Sequence, residues 1–274
     1  MALGLDLSSS QAKIDRASEH LCALDRESMA AFTKALPYLP GPIKIDEESG
    51  WADIVIVPQQ VPESARLSAI AGDVHHNLRS ALDYIVAALV AASPATLTTR
   101  HQFPIFEDPD EYRKKVADGN RPVGRSYLGN VKHGLAEIEN LQPYYCQPNP
   151  IDDPLAHLQR FSNYDKHRSI AVFVPLHGNG KVRIDHDGVV LERRDPPTRP
   201  AWKPGDQLVP FVVQQVRFAR PYPTNAHAYI ETPIGATFSV PPRKQETTWV
   251  IHDLPFLVGI RDHVRTITER FETL

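Results

Sequence analysis

The chain has 274 residues, 42% of them hydrophobic, and its 30 Lys and Arg against 33 Asp and Glu leave a formal charge of −3. That length can bury a substantial core as one large domain or two small ones. The near-balanced charge gives no support for a broad electropositive footprint on nucleic acid and leaves room for a local basic patch. The two cysteines, Cys22 and Cys146, make no disulfide framework and no C-x-x-C zinc spacing, so a reduced, cytoplasmic setting is expected.

The amino terminus has no basic segment followed by an apolar run, so no signal peptide is expected. The longest apolar run, Tyr84 to Ala92, is too short to span a bilayer, and no membrane partner is expected.

Residues 10–36 read as a long helix, with Ile14, Ala17, Leu21, Leu24, Phe32 and Leu36 at three- and four-residue steps. Pro37, Pro40 and Pro42 stop it. A hairpin follows over 43–57, turning at Glu48-Ser49-Gly50. A second long helix runs from about Pro62 to Ala92. Asp108-Pro109 opens a short helix, and residues 125–141 form another on Leu128, Val131, Leu135, Ile138 and Leu141. Asp153-Pro154 opens the next, through about Arg168.

From Ser169 the period changes from helical to alternating. Residues 181–184 and 189–191 around Asp187-Gly188 predict a hairpin, with further strands at 208–218, 226–231, 235–240 and 247–251. Strands from about 181 to 251 are expected to form one antiparallel unit. A Pro-rich linker, Asp195 to Gly205, interrupts them. The closing helix carries Leu257, Ile260, Val264, Ile267 and Phe271 on one stripe.

These elements predict an α+β protein: an up-and-down helical bundle with an antiparallel β-sheet in the C-terminal half. The expected organisation is a bundle over 1–170 with the 43–57 hairpin inserted, a β region over 171–252, and a terminal helix over 253–274 packing back on the bundle.

Placing residues at roughly 100° per residue puts Leu67, Ile70, Val74, Leu78, Leu82, Ile85 and Leu89 on one arc of the second long helix. Asp73, His76, Arg79, Ser80 and Asp83 take the opposite arc, with His75 at the edge of the apolar one. His76, Arg79 and Asp83 stack at i, i+3, i+7, where side chains can meet. In the 154–168 helix Asp165 shares its arc with Leu155, Leu158 and Phe161. A carboxylate facing a core demands a partner. Arg79 is the partner expected, because its planar fork satisfies both oxygens, and the pair would lock two helices.

The runs His76-Asn77-Leu78-Arg79-Ser80-Ala81-Leu82-Asp83, Phe103-Pro104-Ile105-Phe106, Leu141-Gln142-Pro143-Tyr144 and Asn163-x-Asp165-Lys166-His167-Arg168 look like those of a family of uncharacterised bacterial proteins. The likeness covers roughly residues 60–170 and implies a group, not an activity. A second likeness is to HEPN domains, helical bundles that often act as metal-independent ribonucleases and dimerise to form their site. Arg160 and His167, with six residues between, match the HEPN spacing of Arg, four to six residues, then His. Phe161 departs from it, since a small polar residue usually follows that Arg. The likeness implies catalytic roles for Arg160 and His167, RNA as substrate and a homodimer.

Each motif also has a plainer reading. Lys166-His167-Arg168 is a cation cluster that a helix carboxy terminus favours. His76, Asp73 and Asp83 make a polar helix face or a possible polar site; Glu-x-x-His and His-Glu-x-x-His are both absent, so no metal is expected. No Gly-rich phosphate loop or nucleophile elbow is present, and no cofactor is expected. Three functions stay open: an HEPN-like metal-independent ribonuclease or RNA-binding protein, a non-catalytic scaffold whose sheet meets a protein partner, and a metal-dependent hydrolase.

Overall fold

Asp6 accepts the backbone N–H of Ser8 at 3.0 Å, at the start of helix α1 (Ser8–Ala35). Along α1, Ile14, Ala17, Leu21 and Leu24 are buried at the spacing the sequence predicts. The computed structural model describes residues 3–35, 43–56, 64–114, 124–146, 148–165, 171–173, 182–194, 211–230, 237–240 and 250–274. The linker at 195–205 and the Lys166-His167-Arg168 cluster lie outside the described residues.

Helix α2 (Ser64–Ala91) is buried nearly all round. Its exposed positions Ala65, Arg66, Ala69, Asp73, His76, Tyr84 and Ala91 fall on one stripe, an arc of about 100° at the helical step. A helix enclosed in this way needs more than apolar packing, because its flanks carry Ser, His, Asn and Arg. Each of these must find a partner or a tolerated place.

Asp108 accepts the N–H of Asp110 at 2.7 Å and opens the short α3 (Pro109–Arg113) as expected. Between 125 and 141 the sequence predicts one helix; the structure has a 3₁₀ turn at Gly124–Leu128 and then α4 (Leu135–Asn140). Gly129 and Gly134 break it, with φ of +48° and +71°. Gly134 is also hemmed in, since a Cβ there would stand 3.0 Å from Leu89 and 3.1 Å from Phe271.

Helix α5 (Pro154–Asp165) starts at Asp153, which accepts from Leu155 N–H at 2.7 Å. Helix α6 (Leu254–Glu272) starts at Asp253, which accepts from Phe256 N–H at 2.9 Å. Leu257, Ile260, Val264, Ile267 and Phe271 are buried as a stripe, each worth about 1.5–3 kcal/mol against full exposure. A small polar junction ties α1, α2 and α6: Ser10 Oγ donates to Ala81 O at 3.0 Å and lies 3.1 Å from Thr268 Oγ1.

The chain divides into two compact units. The first, predominantly helical, is 1–23, 69–170 and 240–274; the second is 24–68 and 171–239. The fold is therefore α+β, with antiparallel strands in the second unit. Strand β1 (Trp51–Ile56) bridges back once, Ile45 to Ala52, but its ladder is with a strand 160 residues on.

The other strands are β2 (Ala171–Phe173), β3 (Val182–His186), β4 (Val190–Arg194), β5 (Phe211–Phe218), β6 (Ala226–Ile230) and β7 (Thr237–Val240). The order β1-β5-β4 makes one antiparallel sheet; β3 pairs with β6, and β2 with β7. The expected β3–β4 hairpin is thus not formed. Asp187 at the turn binds instead to the 224–225 turn, accepting from Thr224 Oγ1 at 2.7 Å and from Asn225 N–H at 3.3 Å. The chain leaves β3 in one sheet and enters β4 in another. Ile184 and Ala226 from the β3–β6 pair share a buried cluster with Ala52, Ile54, Val216 and Phe218.

Strand β8 (Val250–Asp253) belongs to the helical unit and runs directly into α6. Among the described residues, no helix is long and apolar enough to cross a membrane.

Candidate functional site

Two of the motif runs, through Arg79 and Asp83 on α2 and through Gln142, meet a third at the extended segment Phe103 to Phe106. Arg79 Nη2 donates to Phe103 O at 2.6 Å, and Phe103 N–H donates to Asp83 Oδ1 at 2.8 Å. Arg79 and Asp83 stand one helical turn apart on α2, with Nη1 3.1 Å from Oδ1. That approach is a charge contact, because Nη1 makes no aligned hydrogen bond. The pair grips both polar groups of one buried peptide residue, as a neighbouring strand would.

Gln142 does the same for the next residues. Its Nε2 donates to Pro104 O and Ile138 O, both at 2.9 Å, and its Oε1 accepts from Phe106 N–H at 3.0 Å. At 1% exposure it has no access to a ligand from solvent. Burial pushes the Arg79 guanidinium down from its ordinary range, and Asp83 opposes that shift.

The expected Arg79–Asp165 ion pair is therefore replaced by Arg79–Asp83. The reason is position along α2. Asp165 lies at Gly72, seven residues before Arg79, or about 10 Å along the axis at the helical rise. Asp83, one turn away, is within reach.

Asp165 is half-buried against Gly72, where only the missing side chain makes room. Among the described residues it has no hydrogen bond or ion pair. Its carboxyl is pushed up, first by burial and then by the neighbouring Asp73, with His76 opposing. Asp73 and His76 are exposed on the α2 stripe. Of the three residues expected to share a polar site, Asp73 and His76 stay together beside Asp165, while Asp83 is engaged at Phe103.

A third polar group escaped the sequence reading. His75 from α2, His157 from α5 and His252 from β8 meet around Phe161 and Phe256. His75 stacks on Phe161 at 4.7 Å, Phe161 on His252 at 4.0 Å, and His252 lies 4.2 Å from Phe256, centroid to centroid. His252 Nε2 is 2.8 Å from His157 Nδ1.

His75 Nδ1, 2.7 Å from Ala71 O, must carry that ring's proton, since a carbonyl only accepts. His252 Nδ1 has no partner among the described residues. An orphaned buried N–H costs more than an orphaned lone pair, so we assign the His252 proton to Nε2, donated to His157. Burial pushes His75 down to about 4 and lowers His252 and His157 as well. All three are neutral at pH 7. The sequence carried only one part of this: His157 and Phe161, four residues apart on one helix, share a face.

Arg160 is 8% exposed and contributes to the lowering at both His157 and His252. It is packed into the helical unit rather than displayed on it. His167, its expected partner, lies outside the described residues. Among the described residues, no group of three or more His, Cys, Asp and Glu could hold a metal ion. Comparison with family models, with curated proteins and with solved structures finds no match for this chain.

Proposed function

We propose that this chain is a non-catalytic binding protein, with the helical unit as a locked scaffold. One observation carries the reading. Three polar residues of the motif runs, Arg79, Asp83 and Gln142, are spent on the backbone of Phe103, Pro104 and Phe106. Groups held in this way specify a fold and have little freedom for substrate. The β-rich unit supplies the contact surface, where Val55, Val189 and Leu191 are 48%, 62% and 58% exposed.

Metal-independent cleavage of RNA in the manner of HEPN domains is the second reading, and a different observation favours it. Asp165 is a carboxylate with no partner among the described residues and a raised pKa, beside His76 and two residues before His167. Perturbed, unpaired titratable groups of this kind cluster at functional sites. In this reading Arg160 stabilises charge on the phosphate, and His167, with His76 and Asp165, moves protons.

One experiment separates the two. Purified full-length protein is incubated with mixed single-stranded RNA in EDTA, beside folded Arg160→Ala, Asp165→Asn and His167→Ala variants. Intact RNA in every lane supports the binding reading. Cleavage by the parent that the variants lose establishes the nuclease.

A further inference from the structure

The histidine stack joins three elements with almost no polar support. His75 is buried on α2 with Nε2 unpartnered, and His252 is buried on β8 with Nδ1 unpartnered. Their rings lie 6.3 Å apart, and each is within 4.7 Å of Phe161. His157 on α5 closes the group through its bond to His252 and packs edge-on against Phe256 at 4.9 Å. The charged groups facing it are few. Arg160 on α5 opposes a further positive charge at His157 and His252; Asp152, just before α5, and Glu107, before α3, favour one at His157 alone. Among the described residues, no carboxylate bears on His75 or His252.

We propose that this stack is an acid-operated latch, in which protonation of the three imidazoles in mild acid releases β8 and the first turn of α6 from α2 and α5. The physical reason is the alternative each ring has. Closed, a proton on His252 breaks no apolar contact but sets a cation between Phe161 and Phe256, beside Arg160 and a second imidazole. Protonating His157 at Nδ1 ends its bond to His252. Open, the rings meet water and take protons in the ordinary imidazole range near 6.5. Opening therefore takes up as many as three protons, and below that range each one favours opening about tenfold per pH unit.

The test is amide hydrogen exchange at 251–258 in the full chain between pH 7.5 and 5, corrected for intrinsic exchange, with histidine side-chain NMR in parallel. The opening equilibrium is expected to change little above pH 7 and, below about pH 6, to rise between tenfold and a thousandfold per pH unit. His75→Phe and His252→Phe, which keep a stacking ring, are each expected to lower that slope by about tenfold per pH unit. An unchanged slope in both variants overturns the latch. Should a variant fail to fold, the parent's imidazoles decide. The latch requires His75, His157 and His252 to stay neutral until the amides open, and independent titration near 6.5 with those amides still protected overturns it.

Discussion

The carboxylate of Asp165 rests on the Cα of Gly72, so closely that a Cβ there would stand 2.6 Å from Oδ1 and 2.7 Å from Oδ2. In the interior of a helix, Gly→Ala ordinarily stabilises by about 1 kcal/mol. Here the methyl group must displace Asp165. Gly72→Ala is expected to lower Tm in the parent and to raise it in an Asp165→Ala background. A higher Tm for Gly72→Ala in the parent would show that Asp165 swings away freely.

Asp165 also gives a pH signature opposite to that of a salt-bridged carboxylate. Its folded pKa is raised, so its favourable contribution is present below the unfolded value and is lost as pH rises through the folded one. Asp165→Asn is expected to melt above the parent at pH 7, with the difference vanishing near pH 3. A lower melting point at pH 7 would reveal a stabilising partner for the carboxylate. Thermal melts at the two pH values measure it.

Arg79 cannot be removed without stranding Phe103 O and taking from Asp83 its neighbouring cation. Arg79→Ala is expected to destabilise by about 3–5 kcal/mol, as for a broken buried ion pair. Arg79→Lys should recover only part, because one ammonium cannot match the fork. Denaturant unfolding gives the values; a variant within a degree or two of the parent in Tm defeats the lock.

Gln142 satisfies three backbone groups at once, and Gln142→Leu leaves them buried. At about 1 kcal/mol for each net hydrogen bond, the loss should be roughly 3 kcal/mol. Gln142→Glu is isosteric but, when ionised, cannot donate to Pro104 O or Ile138 O. It should be worse at pH 7 than at pH 4, where the protonated acid can donate once. Equal losses at both values would count against this geometry.

For His75 the folded pKa is depressed, so stability is complete above the ordinary value of 6.5 and is lost as pH falls toward about 4. At about 1.4 kcal/mol per pH unit, that span amounts to roughly 3 kcal/mol for the one ring. Denaturant unfolding at pH 7 and pH 4.5 should show the parent losing more stability than His75→Phe. Equal losses would mean His75 is protonated in the fold.

Helix positions and buried stripes were legible in the sequence because they depend on local periodicity and caps. Ile14, Ala17 and Leu21, or Leu257 through Phe271, bury the face their spacing dictates, and Asp108, Asp153 and Asp253 each sit where a helix begins. The 125–141 segment has that periodicity too, but Gly129 and Gly134 take positive φ and divide it. Period alone does not report such a break.

Partner choice was decided by the tertiary structure. That Arg79 needs a carboxylate follows from burial, but whether it takes Asp83 or Asp165 depends on how far along α2 the α5 helix crosses. The 187–188 turn is as plain in the sequence as any hairpin signal, yet its strands join different sheets, because Asp187 binds Thr224 and Asn225. The histidine stack brings together residues 75, 157 and 252, and no local pattern encodes a meeting across such separations. Local chemistry sets which groups cannot remain alone in a core; only the folded chain sets which of them meet.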